Sequence, residues 1–290
     1  MTNIYYDIPK EFSLYNNANV VIVPCPYEHT TSYGQGTSNG PAAILEASRQ
    51  VEYFDEELWT EPYKAGIFSA DPIAFAGKTG EEAINQIAAT VGKFYADNKL
   101  PIILGGEHSL STGCIMAAHR AYPDLTVVQV DAHGDLRTSY HETPWSHACI
   151  MRRVDDLGIP SVGVGIRAIC EEEAVLIREK KLKRIFAHEL DAQEKWIDRA
   201  LDGIKGPVFL TFDVDGIDPS LIPATGTPEP GGLTWQQSTH FIKALCERCN
   251  VVGMDFVELA PNPEQSASDF AVARLVYKSI GYWARAKGLI

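Results

Sequence analysis

LTVVQVDAHGD (125–135) sets an apolar, β-branched run directly against two carboxylates and an imidazole, those of Asp131, Asp135 and His133. The same layout returns in LPIILGGEHS (100–109), in VFLTFDVDGIDP (208–219) and in VVGMDFVEL (251–259). Runs this uniformly apolar read as strands buried on both faces, because a half-exposed strand alternates apolar with polar residues. Candidate strands fall at 19–25, 65–70, 101–104, 125–130, 161–165, 183–187, 207–212 and 250–256. Longer stretches of helical period separate them. The clearest opens at Thr79, with Glu82 at capping-box spacing, and runs to near Asn98; another starts at Pro41, a residue suited to a first helical turn. Strand and helix in alternation predict an α/β fold with a parallel sheet covered by helices on both faces. No repeat, low-complexity tract or linker divides the chain, so 1–290 reads as one domain.

A chain of 290 residues with 45% hydrophobic content is long enough for one large core. Its formal net charge of -13 and pI near 5.0 argue against nucleic acid and anionic membrane surfaces, which require a basic face. The start, MTNIYYDIPKEF, has no basic flank before an apolar run, and no stretch approaches the roughly 18 apolar residues of a bilayer crossing. The expectation is a protein that is soluble, cytoplasmic and not exported. Six cysteines scattered through apolar patterns fit a reducing compartment. Cys246 and Cys249 form a C-x-x-C without a second pair, so packing is their expected role rather than zinc or redox chemistry.

In an open parallel sheet, ligands collect at the carboxyl ends of the strands, so the four polar clusters are expected to converge. Side chains two apart at a strand end point the same way, which lets Asp131, His133 and Asp135 share a face, as Asp213 and Asp215 do. His108 completes a set of four carboxylates and two imidazoles. Four carboxylates so crowded cannot all stay ionised unless cations neutralise them, and two divalent ions balance them in formal charge. Oxygen donors mixed with imidazole suit Mn²⁺, with Ni²⁺, Co²⁺ or Zn²⁺ as alternatives. Two such ions about 3.5–4 Å apart share a water, lower its pKa and deliver hydroxide near neutral pH. A lone Asp-x-Asp after a strand usually caps a helix or fills a turn; three such clusters together point to hydrolysis.

The order GGEHS, DAHGD, FDVDGIDP, PATGTPEPGGL (223–233) and MDFVEL (254–259), with GQGTSNGPAAI (34–44) ahead of them, resembles the ureohydrolases, that is arginase, agmatinase and their relatives. The resemblance runs over most of the chain. It implies a three-layer α/β sandwich with a central, mainly parallel sheet of eight strands, assembled as trimers or hexamers. It implies one metal held by His108, Asp131, Asp135 and Asp213 and a second held by Asp131, His133, Asp213 and Asp215, so that Asp131 and Asp213 bridge. By the same resemblance Glu258 grips the guanidinium through charge-assisted pairing, Thr227 contacts the substrate, and Asp135 relays a proton. His147, in SHACIMRR (146–153), shuttles a proton to the departing amine, with His141 the rival for that role. Arginases follow their aspartate motif with an Asn-Thr pair and a serine that hold an α-amino-acid end, where this chain reads Leu136-Arg137-Thr138-Ser139. The motifs look most like agmatinases, which points to agmatine cleaved to putrescine and urea. Arg137 keeps an acidic-tailed substrate open, which would mean guanidinobutyrase or formimidoylglutamase activity, and arginase activity remains the further alternative.

Two readings from other classes are weaker. Gly163-Val164-Gly165-Ile166-Arg167-Ala168 fits G-x-G-x-x-A, with Glu189 some way on, as in nicotinamide-dependent oxidoreductases; the fingerprint is short. A non-catalytic metal-binding protein would be marked by a missing ligand, and none is missing.

Overall fold

The computed structural model describes residues 4–190 and 195–290. Its strands are β1 (Val20–Cys25), β2 (Ile67–Ser69), β3 (Leu100–Gly105), β4 (Thr126–Val130), β5 (Ser161–Ile166), β6 (Lys183–Phe186), β7 (Pro207–Asp213) and β8 (Asn250–Val257). Every strand expected from the sequence is present. They form one sheet in the order β2-β1-β3-β8-β7-β4-β5-β6, with every pairing parallel.

The uniform apolar runs follow from the layering. On β1, Val20 and Ile22 enter one core while Val21 and Val23 enter the other, as the period of two requires. The first core takes helices Gly40–Ser48, Trp235–Arg248 and Ala267–Ala286 through Ile44, Phe241 and Val276. The second takes Gly80–Ala96, Ser111–Ala121 and Ile150–Asp156 through Ile87, Ile115 and Met151. Burying one such side chain contributes roughly 1.5–3 kcal/mol, so both faces of the central strands must be apolar. The helix expected to open at Thr79 does start there, but the Thr79 side chain makes no capping hydrogen bond. Among the described residues no helix is long and apolar enough to cross a membrane.

Candidate active site and metal centre

The four strands that carry the polar clusters, β3, β8, β7 and β4, are consecutive in the sheet. Their carboxyl ends therefore meet in one place, although the residues come from positions 105 to 258. Gly106 sets the approach: a Cβ there would lie 2.0 Å from the Tyr27 carbonyl oxygen. With that clearance the Glu107 amide donates to the Tyr27 carbonyl at 2.8 Å and the Glu258 amide to the Gly106 carbonyl at 2.8 Å. Asp135 and Glu258 both adopt left-handed backbone, with φ of 52° and 66°. Such residues cost of order 1–3 kcal/mol each and persist where their surroundings hold them. The Met151 and Arg152 amides hold the Asp135 carbonyl at 2.9 and 3.1 Å, and the His108 amide donates to Glu258 Oε1 at 2.6 Å.

Around His108 Nδ1 stand Asp135 Oδ2 at 2.9 Å, Asp131 Oδ2 at 3.1 Å and Asp213 Oδ2 at 3.3 Å. His133 Nδ1 lies 3.0 Å from Asp215 Oδ2 and 3.5 Å from Asp131 Oδ1. Asp131 thus gives one oxygen to each histidine. Two groups result with ligand spacing, His108–Asp131–Asp213 and Asp131–His133–Asp215. The other oxygen of Asp213 accepts the Asp215 amide at 2.9 Å, so Asp213 joins only the first group here.

The tautomer of His108 tests whether these residues fit a cation. Its Nε2 lies 2.8 Å from Thr211 Oγ1, whose single proton goes to Asp255 Oδ1 at 2.7 Å. Thr211 must then accept from Nε2–H, which leaves the Nδ1 lone pair of the neutral ring facing three carboxylates. That buried atom has no hydrogen-bond partner. A lone pair aimed at anions is repulsive, so the site calls for a cation: either a second ring proton, which Asp131, Asp135 and Asp213 favour against burial by raising His108 well above its ordinary range, or a metal ion in its place; the set fits a metal.

Titration behaviour has the same cause. Burial, then the Asp131 charge, pushes Asp135 up to about 7. Burial, then Asp215 and Asp131, holds Asp213 well above the usual carboxylate range. Burial works against a charge on His133, yet Asp215 leads the carboxylates that hold it up at about 12. Glu258 is also pushed well up by burial.

An inner cavity of about 20 Å³ is lined by His108, His133, Asp135, His147, Thr227 and Glu258 among others. It adjoins an outer cavity of about 310 Å³ that shares Ser32, His133, Asp135, His147 and Thr227. The outer one adds Arg137, Tyr140, Glu173 and Glu229. The Arg137 guanidinium sits 5.2 Å from the Tyr140 ring centre. His147 lines both cavities, whereas His141 is exposed and lines neither. Sequence reading assigns no role to Thr30, Glu107, Thr211 or Asp255, all of which touch the site's histidines or their partners. In the G-x-G-x-x-A stretch, Gly165 has φ of 87° and a Cβ there would meet Leu233 Cδ1 at 2.6 Å. Arg167 beside it donates to five main-chain carbonyls at 2.6 to 3.3 Å, so the stretch serves packing.

A three-layer α/β sandwich with a His–Asp cluster at the carboxyl ends of its central strands is the class that fold and site define. The arginase family profile matches residues 18–281, and the chain belongs to that family. It is 43% identical to an N(1)-aminopropylagmatine ureohydrolase of Synechocystis sp., over 96% of this chain and 95% of that one. It is 33% identical to an agmatinase of Bacillus anthracis, covering 95% and 96% of the two chains. The crystal structure of agmatine ureohydrolase of Thermoplasma volcanium superposes with a TM-score of 0.83 at 30% identity, covering 95% of this chain and 93% of that one. The protein is a ureohydrolase, acting on amidino C–N bonds. A guanidine bearing an aminopropyl tail is absent from the substrates that sequence reading weighs.

Proposed function

We propose that this ureohydrolase cleaves a guanidino amine without a carboxylate, N1-aminopropylagmatine in first place and agmatine in second. Urea leaves, and the product is spermidine or putrescine. The continuity of the inner and outer cavities carries the reading, since a guanidinium at Glu258 leaves its tail in a space larger than a four-carbon amine requires. The higher identity to the aminopropylagmatine enzyme, 43% against 33%, supports that order.

His108, Asp131, Asp135 and Asp213 would hold one divalent ion, and Asp131, His133, Asp213 and Asp215 a second. Manganese is our choice, because carboxylate and imidazole donors without thiolate suit it. Bound there, the ions supply Lewis-acid activation of water near neutral pH. The chain's own side chains do the remainder. Glu258 keeps Oε1 on the His108 amide and offers its other oxygen to the guanidinium, whose charge offsets the cost of the buried carboxylate. Thr227, which lines both cavities, borders the bound substrate. Asp135 relays a proton toward the departing nitrogen, and His147 exchanges a proton with that amine.

Urea release from a panel of guanidines by the Mn²⁺-loaded enzyme tests the reading. Aminopropylagmatine is expected to exceed agmatine about 10-fold in kcat/KM, and both to exceed arginine by about 10²-fold. An α-carboxylate entering this acidic pocket would be desolvated without full compensation, at a few kcal/mol. Arginine turning over equally well would refute the proposal. Guanidinobutyrate surpassing both amines would make Arg137 the anchor of an acidic tail.

A further inference from the structure

Glu107, which precedes His108 in the chain, is fully buried, and its carboxylate is taken up by hydrogen bonds to His29, Thr30 and Ser109. Oε2 accepts the His29 amide at 2.6 Å, Oε1 accepts the Thr30 hydroxyl at 2.9 Å, and Ser109 Oγ donates to Oε1 as well. Thr30 Oγ1 in turn lies 3.1 Å from His147 Nδ1 and 3.1 Å from the His147 backbone nitrogen. Ser146 Oγ stands farther from Nδ1, at 3.4 Å.

A threonine hydroxyl has one proton and two lone pairs, and a carboxylate only accepts. The Thr30 proton is committed to Glu107, so its lone pairs must receive both His147 N–H groups, that of the backbone and that of the ring. Nδ1 therefore carries the hydrogen. Nε2 keeps the lone pair, and the ring carrying it lines the inner cavity. The Tyr140 ring packs on the imidazole edge-on, with centres 5.7 Å apart and planes at 86°.

We infer that Thr30 and Glu107 are positioning residues that fix His147 as the Nδ1–H tautomer, so that proton exchange with the departing amine takes place at Nε2 alone. Nδ1 keeps its proton throughout. The inference rests on the His147 shuttle proposed above and deepens it. A wrong tautomer presents an N–H where a proton acceptor is required, which lowers turnover without loosening substrate binding.

Thr30→Val removes the hydroxyl at nearly constant volume. In the Mn²⁺-loaded enzyme it is expected to lower kcat about 10-fold or more, with KM within about twofold and bound metal unchanged. Thr30→Ser, which restores the hydroxyl, is expected to recover most of the loss. Adding Thr30→Val to His147→Asn is expected to cost nothing further, because the threonine acts through the imidazole. Long-range ¹⁵N–¹H spectra of histidine-labelled protein loaded with diamagnetic Zn²⁺ are expected to show His147 protonated at Nδ1. An Nε2–H tautomer overturns the inference, as does wild-type kcat in Thr30→Val or a further loss in the double variant. Normal turnover by His147→Asn would remove the shuttle itself. A slow His147→Asn beside an unimpaired Thr30→Val would remove only the role of Thr30 and Glu107.

Discussion

Asp131 divides its carboxylate between His108 and His133, whereas Asp215 faces His133 alone. Asp131→Ala is accordingly expected to empty both ion positions and Asp215→Ala to empty one, with metal per chain counted by elemental analysis. Equal losses in the two variants would contradict the shared role of Asp131. Thr211 and Asp255 act a step behind, orienting the His108 ring through Nε2. Thr211→Val is expected to weaken metal affinity by about 10–100-fold, read by equilibrium dialysis; unchanged affinity would show that the ring needs no such support. The candidate ligands in DAHGD and DVDGID are legible in the sequence, because a period of two places them on one face, and the structure brings them together. Thr211 and Asp255 are not, since each lies inside an apolar run. Their link crosses the β7–β8 pairing, where Thr211 sits opposite Asp255, so it becomes visible only once the sheet order is known. Thr30 and His147, 117 positions apart, are hidden for the same reason.

At the scale of elements, strand positions could be read from β-branched runs bounded by turn residues. The sheet order could not, because nothing local places β8, the last strand, between β3 and β7. The C-terminal helix Ala267–Ala286 is tied down by another device outside the reach of motif reading. Lys278, 4% exposed, meets the fully buried Asp55 at 3.1 Å, and Asp55 also accepts the Glu57 and Leu58 amides at 3.0 and 2.9 Å. Asp55→Ala leaves that ammonium to Glu56, Glu57 and the Tyr282 ring, and is expected to cost about 3 kcal/mol in urea unfolding. A loss below about 1 kcal/mol would mean that the neighbouring carboxylates compensate. Glu57 supplies a pH signature. Burial raises its pKa, but the Tyr282 hydroxyl at 2.6 Å and Lys243 at 2.9 Å outweigh that and hold it down at about 2. A carboxyl depressed in the folded state stabilises it above the ordinary value near 4.5, and this contribution fades as pH falls toward 2. Tm of the wild type is therefore expected to fall more steeply than that of Glu57→Gln between those limits. Parallel curves would show that Glu57 plays no part in acid sensitivity.

For the whole molecule, the proposed divalent ions would neutralise the converging aspartates and so add to the stability of the folded state. An ion present at 100 times its Kd adds about 2.7 kcal/mol. Chelation is expected to abolish activity and lower Tm, and added Mn²⁺ to restore both; unaltered Tm and turnover in protein shown to be metal-free would refute this. Beyond these equilibria, the place of β8 shapes the order of assembly. Without residues 250–257 the sheet is two separate pieces, β2-β1-β3 and β7-β4-β5-β6, each ending on a strand that is wholly buried in the native sheet. Two such edges on one intermediate invite pairing with other chains. Insertion of β8 closes both edges and brings Glu258 to the ligand cluster in the same event. Activity therefore returns in refolding only with β8 in place, because Glu258 follows it directly, and a chain that pairs an open β3 or β7 edge with another chain is lost to aggregation.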